Sequence, residues 1–67
     1  MEKEILINAD KWFKLHDIKT FINKGSKIWK LYIDIGNFEL ELSQDEIEYR
    51  ANEYIRLKEN NLIKHKH

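Results

Sequence analysis

The chain has 67 residues and a formal net charge of zero at pH 7, from twelve basic and twelve acidic side chains. A chain of this length forms one domain and buries only about 60% of the surface that its unfolded state exposes, so we expect marginal stability. Cysteine is absent, which excludes disulfide bonds and thiolate metal sites. The balanced charge favours neither a nucleic acid nor a membrane as partner of the whole molecule.

The two signs of charge are separated along the chain. Residues 11–30 carry six lysines and one acid, whereas residues 34–53 carry seven acids and one arginine. The first residues contain too short an apolar run for a signal peptide, and no stretch reaches the roughly 20 apolar residues that cross a bilayer. We therefore expect a cytoplasmic protein with no membrane partner.

Two short apolar runs, EILIN and WFKL, lie near the start of the chain, with the turn-forming residues Asn8 and Asp10 between them. This arrangement is typical of short strands joined by a turn. The sequence thus predicts one or two strands before residue 16.

A hairpin is predicted around Gly36 and Asn37, because the residues on both sides alternate between apolar and polar. A two-residue turn there pairs Ile33 with Leu40 and places the apolar side chains of both strands on one face. Around Gly25, a four-residue turn would pair Ile22 with Trp29 in the same way.

A C-terminal helix over about residues 44–60 is predicted from Ser43 and Glu46, which have the spacing of a capping box. Its apolar stripe consists of Ile47, Ala51, Tyr54, Ile55 and Leu62, with Leu57 on the flank. The sequence therefore predicts one α+β domain over residues 1–62: an antiparallel β-meander of three to four strands with one C-terminal helix packed on its apolar face. Residues 63–67 form a basic tail that we expect to fray.

The second face of the predicted sheet mixes charges with large apolar groups, namely Phe21, Ile28, Lys30, Tyr32 and Glu41. The predicted register places Phe21 beside Lys30, and Tyr32 between Lys19 and Glu41. A sheet face that is simply exposed to solvent can have this composition. In another interpretation, the N-terminal strands fold over this face and cover it. Aromatic residues among charges are also typical of interfaces, so we predict a protein-binding or self-association surface here.

The back of the predicted helix carries Tyr49 among the acids Asp45, Glu48 and Glu53. A solvated helix back is the simpler interpretation. The alternative is a docking face in which Tyr49 anchors a basic protein surface and the acids steer it.

Lys24, Lys27 and Lys30 lie on a lysine-rich segment that also contains Trp12, Phe13, Phe21 and Trp29. Lysines interleaved with aromatic rings are typical of surfaces that bind single-stranded nucleic acids. Lysines on strand edges also prevent aggregation, which is a purely structural role. Nucleic-acid binding through these three lysines is therefore the alternative function.

Chemistry at an active site is not predicted. Asp17, Asp34 and Glu39 fall in one predicted row and have the oxygen ligands of a hard cation, although neighbouring lysines offset their charge equally well. His16 has no partner at a metal-ligand spacing, and neither a catalytic triad nor a glycine-rich phosphate loop is present. We expect no metal, no cofactor and no enzymatic activity.

The stretches WFKLHDIKTFIN and WKLYIDIGN in a meander, followed by a capped helix, resemble small accessory proteins of phages and prophages. The abundance of lysine, isoleucine and asparagine, whose codons are rich in A and T, agrees with such an origin. The resemblance implies a tiny, cofactor-free protein that binds a host or defence protein, often as a dimer. We therefore expect a non-enzymatic protein-binding homodimer that occludes its partner.

Overall fold

The computed structural model describes residues 2–25 and 27–60. Its elements in chain order are α1 (Lys3–Leu15), β1 (Thr20–Asn23), β2 (Lys30–Asp34), β3 (Glu39–Glu41) and α2 (Gln44–Glu59). The strands form one antiparallel sheet in the order β1-β2-β3. The predicted α+β class and the three-stranded meander are confirmed. Leu62 and the predicted tail over 63–67 lie outside the described residues.

The predicted strands before residue 16 are wrong, because these residues form helix α1. Leu6, Ala9 and Phe13 are buried along it, with spacings of three and four that place them on one helical face. Asp10 does not form a turn. Its carboxylate lies 3.0 Å from the Lys14 ammonium one turn later, which is a stabilising helical pair.

Asp17 ends helix α1 in the left-handed conformation, with φ +60°. The Asp17 N–H donates to the Lys14 carbonyl at 3.1 Å, and the Ile18 N–H donates to the Phe13 carbonyl at 3.0 Å. This pair of bonds is the Schellman motif. Ile18 then packs against the core that contains Phe13, so the motif fixes the path from α1 into β1.

The predicted β2–β3 hairpin is confirmed. Ile33 pairs with Leu40, and the Ile35 N–H donates to the Phe38 carbonyl at 3.0 Å across the two-residue turn. Gly36 has φ +100°, a conformation that a residue with a side chain rarely adopts.

The predicted β1–β2 register is wrong by two residues, because Ile22 pairs with Leu31 and not with Trp29. The connection is longer than predicted: the Asn23 side chain accepts a hydrogen bond from the Gly25 N–H at 2.8 Å, and β2 begins only at Lys30. A shift of two residues keeps each side chain on its predicted face. Ser26, in this connection, lies outside the described residues.

Helix α2 begins as predicted, since the Ser43 hydroxyl accepts a hydrogen bond from the Glu46 N–H at 3.2 Å. Its packing differs from the prediction. Ile47 and Ala51 are buried, but α2 packs mainly on α1, and α1 in turn packs on β1 and β2. Because α2 has one apolar stripe and buries it against α1, it does not cover the sheet as predicted.

The core therefore lies between the helices and one end of the sheet. It consists of Leu6, Ala9, Phe13, Leu31, Ile47 and Ala51. The inner sheet face, which points toward this core, divides into two parts. Trp29, Ile33 and Leu42 pack against the core, as predicted. Ile35 and Leu40 remain about half exposed, contrary to the prediction.

We predict that Leu6→Ala lowers the free energy of unfolding by about 2–5 kcal/mol, because it leaves a cavity in the core. Leu6 is 0% exposed and its neighbour Ile7 is 38% exposed, so Ile7→Ala is the matched control and should cost less than about 1 kcal/mol. Urea unfolding followed by circular dichroism measures both. Equal losses would contradict the described orientation of α1.

Asp17→Gly should raise stability relative to Asp17→Ala by about 1 kcal/mol, because only glycine adopts a positive φ without a steric cost. Both variants remove the same carboxylate, so their difference reports the backbone conformation at residue 17, net of the greater unfolded-state entropy of glycine. Thermal unfolding measures it, and equal stability of the two variants would contradict the left-handed conformation at Asp17.

Candidate functional site

The outer sheet face, opposite the core, contains an aromatic pair. Phe21 lies directly opposite Tyr32, with ring centroids 5.3 Å apart and an interplanar angle of 8°. Beside them, the Lys30 ammonium lies 3.6 Å from the Glu41 carboxylate. The predicted grouping of these four residues is thus present, but Phe21 pairs with Tyr32 and not with Lys30. Each ring covers one face of the other, which leaves Tyr32 only partly exposed.

Ile28 lies outside the strands but adjoins the outer face, since the groove that it borders is also lined by Lys30 and Glu41. It precedes β2 and borders a groove of about 210 Å³ together with Trp29, Leu42 and Ile47. The longer β1–β2 connection places Ile28 before the start of β2, so it lies beside the predicted sheet surface and not within a strand. Its side chain is 61% exposed.

The distal end of the hairpin presents three large apolar side chains on the inner face. Ile35, Phe38 and Leu40 are 49%, 59% and 48% exposed, and we call them the hairpin patch. The β2–β3 register places all three on the same side of the sheet as Ile33. Sequence reasoning assigned this face to the core, because the alternating pattern shows which side chains share a face but not which of them another element covers.

On the helix back, Tyr49, Asp45 and Glu48 are exposed, and most of the predicted docking residues also contact neighbours on α2. Tyr49 is 55% exposed, but its ring centroid lies 5.1 Å from the Arg50 guanidinium. Glu53 pairs with Arg56 at 3.4 Å. Glu48 borders a groove between the helices and accepts a hydrogen bond from Gln44 at 3.2 Å. Asp45 is exposed in the first turn of α2, where its negative charge interacts favourably with the positive end of the helix dipole.

Arg50 connects the two helices. Its guanidinium lies 4.1 Å from the ring centroid of Trp12 in α1, and its Nε donates to Glu46 at 2.7 Å. The other face of the indole is covered by His16, which stacks on Trp12 with ring centroids 3.9 Å apart. A cation over a tryptophan ring is stabilising, especially when partly buried. This cluster holds α2 on α1, and sequence reasoning missed it because its members are far apart in the chain.

The three lysines of the predicted nucleic-acid surface do not form one track. Lys30 pairs with Glu41, and the Lys24 ammonium lies 5.0 Å from the ring centroid of Trp29. Lys3, from α1, approaches the same indole at 4.7 Å. Lys27 is exposed in the connection. Of the three predicted lysines, Lys24 is thus the one that lies over the ring of Trp29, and Lys3, which was not part of the prediction, lies beside it.

The predicted row of three carboxylates is only partly present. Asp34 lies opposite Glu39, as predicted, but the Asp34 N–H donates to the Lys19 carbonyl, so Lys19 and not Asp17 continues the row. Asp17 and Asp34 instead border a groove of about 490 Å³ at the end of α1. Over residues 2–25 and 27–60, no three histidine, cysteine or acidic side chains are close enough to hold a metal ion.

The same groove contains a compact polar network. Lys14 donates to Asp10 at 3.0 Å and to the Thr20 carbonyl at 3.2 Å, and the Thr20 hydroxyl donates to Asp10. Every polar group in this network has a partner within it. Its role is structural, because it joins α1 to the start of β1.

Within the described part of the chain, neither helix has the length and apolar character needed to cross a membrane. Comparisons of the chain with protein-family models, with curated proteins and with solved structures give no match. The geometry of the described residues is thus the basis for a functional proposal.

Proposed function

We propose that this protein is a small, non-enzymatic binding protein that contacts another protein through the hairpin patch. The observation that supports the proposal is the exposure of Ile35, Phe38 and Leu40 together on one face of a hairpin. Contiguous apolar groups on a small domain are typical of contact surfaces. The resemblance to phage and prophage accessory proteins makes a host or defence protein the expected partner, and occlusion of that protein the expected mode of action.

The size of the hairpin patch indicates what kind of contact it supports. Three half-exposed side chains present on the order of 300 Å², given the size of large apolar side chains. Burying that area gains about 7 kcal/mol before the costs of association. Those costs are of similar size, so the patch forms a stable complex only together with further contacts.

The homodimer predicted from the sequence stays a prediction. Two copies joined only through their hairpin patches would each bury far less than the roughly 800 Å² per partner of a standard interface. We therefore expect such a pair to form only at high protein concentration.

Phe38→Ala should weaken partner capture about tenfold or more, because aromatic anchors contribute most of the energy of an interface. Tyr49→Ala is the matched control, since both aromatic side chains are more than half exposed, one on the hairpin and the other on α2. Affinity capture from a lysate of the native host, quantified for both variants and for Tyr32→Ala, measures the effect.

If the Phe38→Ala variant still captures the partner, the hairpin patch is excluded as the contact surface. Loss through Tyr49→Ala would then indicate the helix back, and loss through Tyr32→Ala the outer sheet face. Circular dichroism of each variant checks that the fold is intact.

The observation that favours the alternative function, nucleic-acid binding, is the position of Lys3 and Lys24 beside Trp29. Binding of this kind weakens steeply as salt rises, with a log–log slope of about −0.7 per phosphate of a single strand. Lys30 pairs with Glu41 and the formal net charge of the chain is zero, so we expect no gel shift with a single-stranded oligonucleotide even at low salt. A salt-sensitive complex that Lys24→Ala abolishes would instead support the alternative.

A further inference from the structure

Strand β3 has one edge that pairs with β2 and a second edge that pairs with no strand of the described chain. Hydrogen bonds join Leu42 to Leu31 and Ile35 to Phe38, so these are the bonded pairs of the hairpin. Bonded and non-bonded pairs alternate along an antiparallel ladder. Glu39 and Glu41 therefore lie in non-bonded pairs, and their backbone N–H and C=O groups point outward from the sheet.

The opposite edge of the sheet is blocked by a side chain at its Thr20 end, although the backbone groups of Ile22 also point outward there. By the same alternation, the backbone groups of Thr20 in β1 point outward, since the Asp34 N–H bonds to Lys19. The Thr20 carbonyl accepts a hydrogen bond from the Lys14 ammonium at 3.2 Å. A strand arriving at β1 would have to displace Lys14 from this position. β3 is thus the more accessible edge.

Acidic side chains flank the open edge. Glu39 and Glu41 project from β3 onto the outer face, while Leu40 between them projects into the hairpin patch. Glu41 is paired with Lys30 at 3.6 Å, so Glu39 is the less compensated of the two. Glu39 also lies directly opposite Asp34, and like charges in this position destabilise a sheet. A cationic group beside β3 would relieve that repulsion.

A second copy of β3 does not fit this edge. If two β3 strands paired about a two-fold axis at Leu40, Glu39 of each chain would lie beside Glu41 of the other. This arrangement adds like-charge contacts to the existing repulsion between Glu39 and Asp34. The edge therefore disfavours self-pairing and favours a partner of opposite charge.

We propose that β3 binds an extended segment of the partner protein in which basic residues alternate with apolar residues. The segment adds a fourth antiparallel strand to the sheet. Its basic side chains lie beside Glu39 and Glu41, and its apolar side chains extend the hairpin patch at Leu40. The inference rests on the proposed function, and it supplies the additional contacts that the hairpin patch alone lacks. Backbone hydrogen bonds provide affinity in this mode of recognition, and the alternating side chains provide specificity.

The test uses a capped peptide with the core Lys-Val-Lys-Val-Lys, titrated into the full chain and followed by NMR. We expect saturable shifts of the Glu39, Leu40 and Glu41 amides. A peptide of the same composition ordered Lys-Lys-Lys-Val-Val should bind at least about tenfold more weakly, because it cannot place all its charges on one face. Equal binding of the two peptides would overturn the proposal, since it would indicate attraction by net charge alone.

Backbone pairing is tested by N-methylation of the peptide. In the antiparallel arrangement, the N–H groups of the lysines point toward β3 and those of the valines point away. Methylation at the lysines should therefore abolish binding, and methylation at the valines should retain it. Unchanged binding of both methylated peptides would exclude strand addition.

The charge contribution is tested in the protein. Glu39→Lys should weaken binding of the alternating peptide about tenfold at roughly 0.01 M ionic strength. The effect should be smaller at roughly 0.15 M, because salt screens the charges. Glu59→Lys, in the exposed last turn of α2, makes the same charge change elsewhere and should have little effect. Equal weakening by both variants would overturn the role of the edge.

The outcomes separate this inference from the proposed function. If the peptide fails to bind while Phe38→Ala still abolishes partner capture, strand addition is wrong and the hairpin patch remains the contact. If Phe38→Ala leaves capture intact as well, both are wrong. A dimer whose formation abolishes the peptide-induced shifts of the Glu39, Leu40 and Glu41 amides would show that a second copy occupies the surface, which also overturns the inference.

Discussion

Helix α1 buries Leu6, Ala9 and Phe13 in a core that also contains Ile47 and Ala51 of α2. This packing of helix on helix determines what the rest of the chain exposes. The apolar stripe of α2 is narrow, and because it lies mainly against α1 it does not cover the distal part of the sheet. The sheet therefore has an inner face that is buried near Leu31 and open near Leu40. The hairpin patch follows from this arrangement and not from any weakness in the hairpin itself.

The two edges of the sheet are protected in different ways. As a result, β3 is the edge that is more accessible to a strand of a partner protein. Lys14 bonds to the backbone of Thr20 and blocks that end of the β1 edge. The β3 edge is protected only by the charges of Glu39 and Glu41, which repel an identical strand but attract a basic one. A small protein with an open apolar face would otherwise be at risk of aggregation. Acids at its edge reduce that risk while they preserve binding to a selected partner.

Local rules in the sequence predicted the elements whose structure depends on neighbouring residues. The hairpin register follows from period-two alternation and a glycine that adopts a positive φ at Gly36. The start of α2 follows from the side chain of Ser43. The N-terminal prediction is wrong because Asn8 and Asp10, which are common in turns, lie here within a helix whose buried face is Leu6, Ala9 and Phe13. The spacing of these three buried residues is a helical signal that the sequence contains.

The candidate site was harder to predict because exposure is a property of the whole fold. The alternating pattern correctly groups Ile35, Phe38 and Leu40 on one face, but whether a helix covers them depends on where α2 packs. The β1–β2 register also depended on a local bond, between the Asn23 side chain and the Gly25 N–H, that shifts the pairing by two residues. The contact between Arg50 and Trp12 joins residues 38 positions apart, and no periodic pattern signals it.

The central claim is that α2 packs on α1 and leaves the distal hairpin open to solvent. Methyl NMR with a soluble paramagnetic probe, at low protein concentration, tests it most directly. The account predicts strong relaxation of the Ile35 and Leu40 methyl groups and protection of those of Leu6 and Leu31, which are 0% exposed. Protection of Ile35 and Leu40 to the level of Leu31 would contradict the account, because another part of the chain would then cover the hairpin.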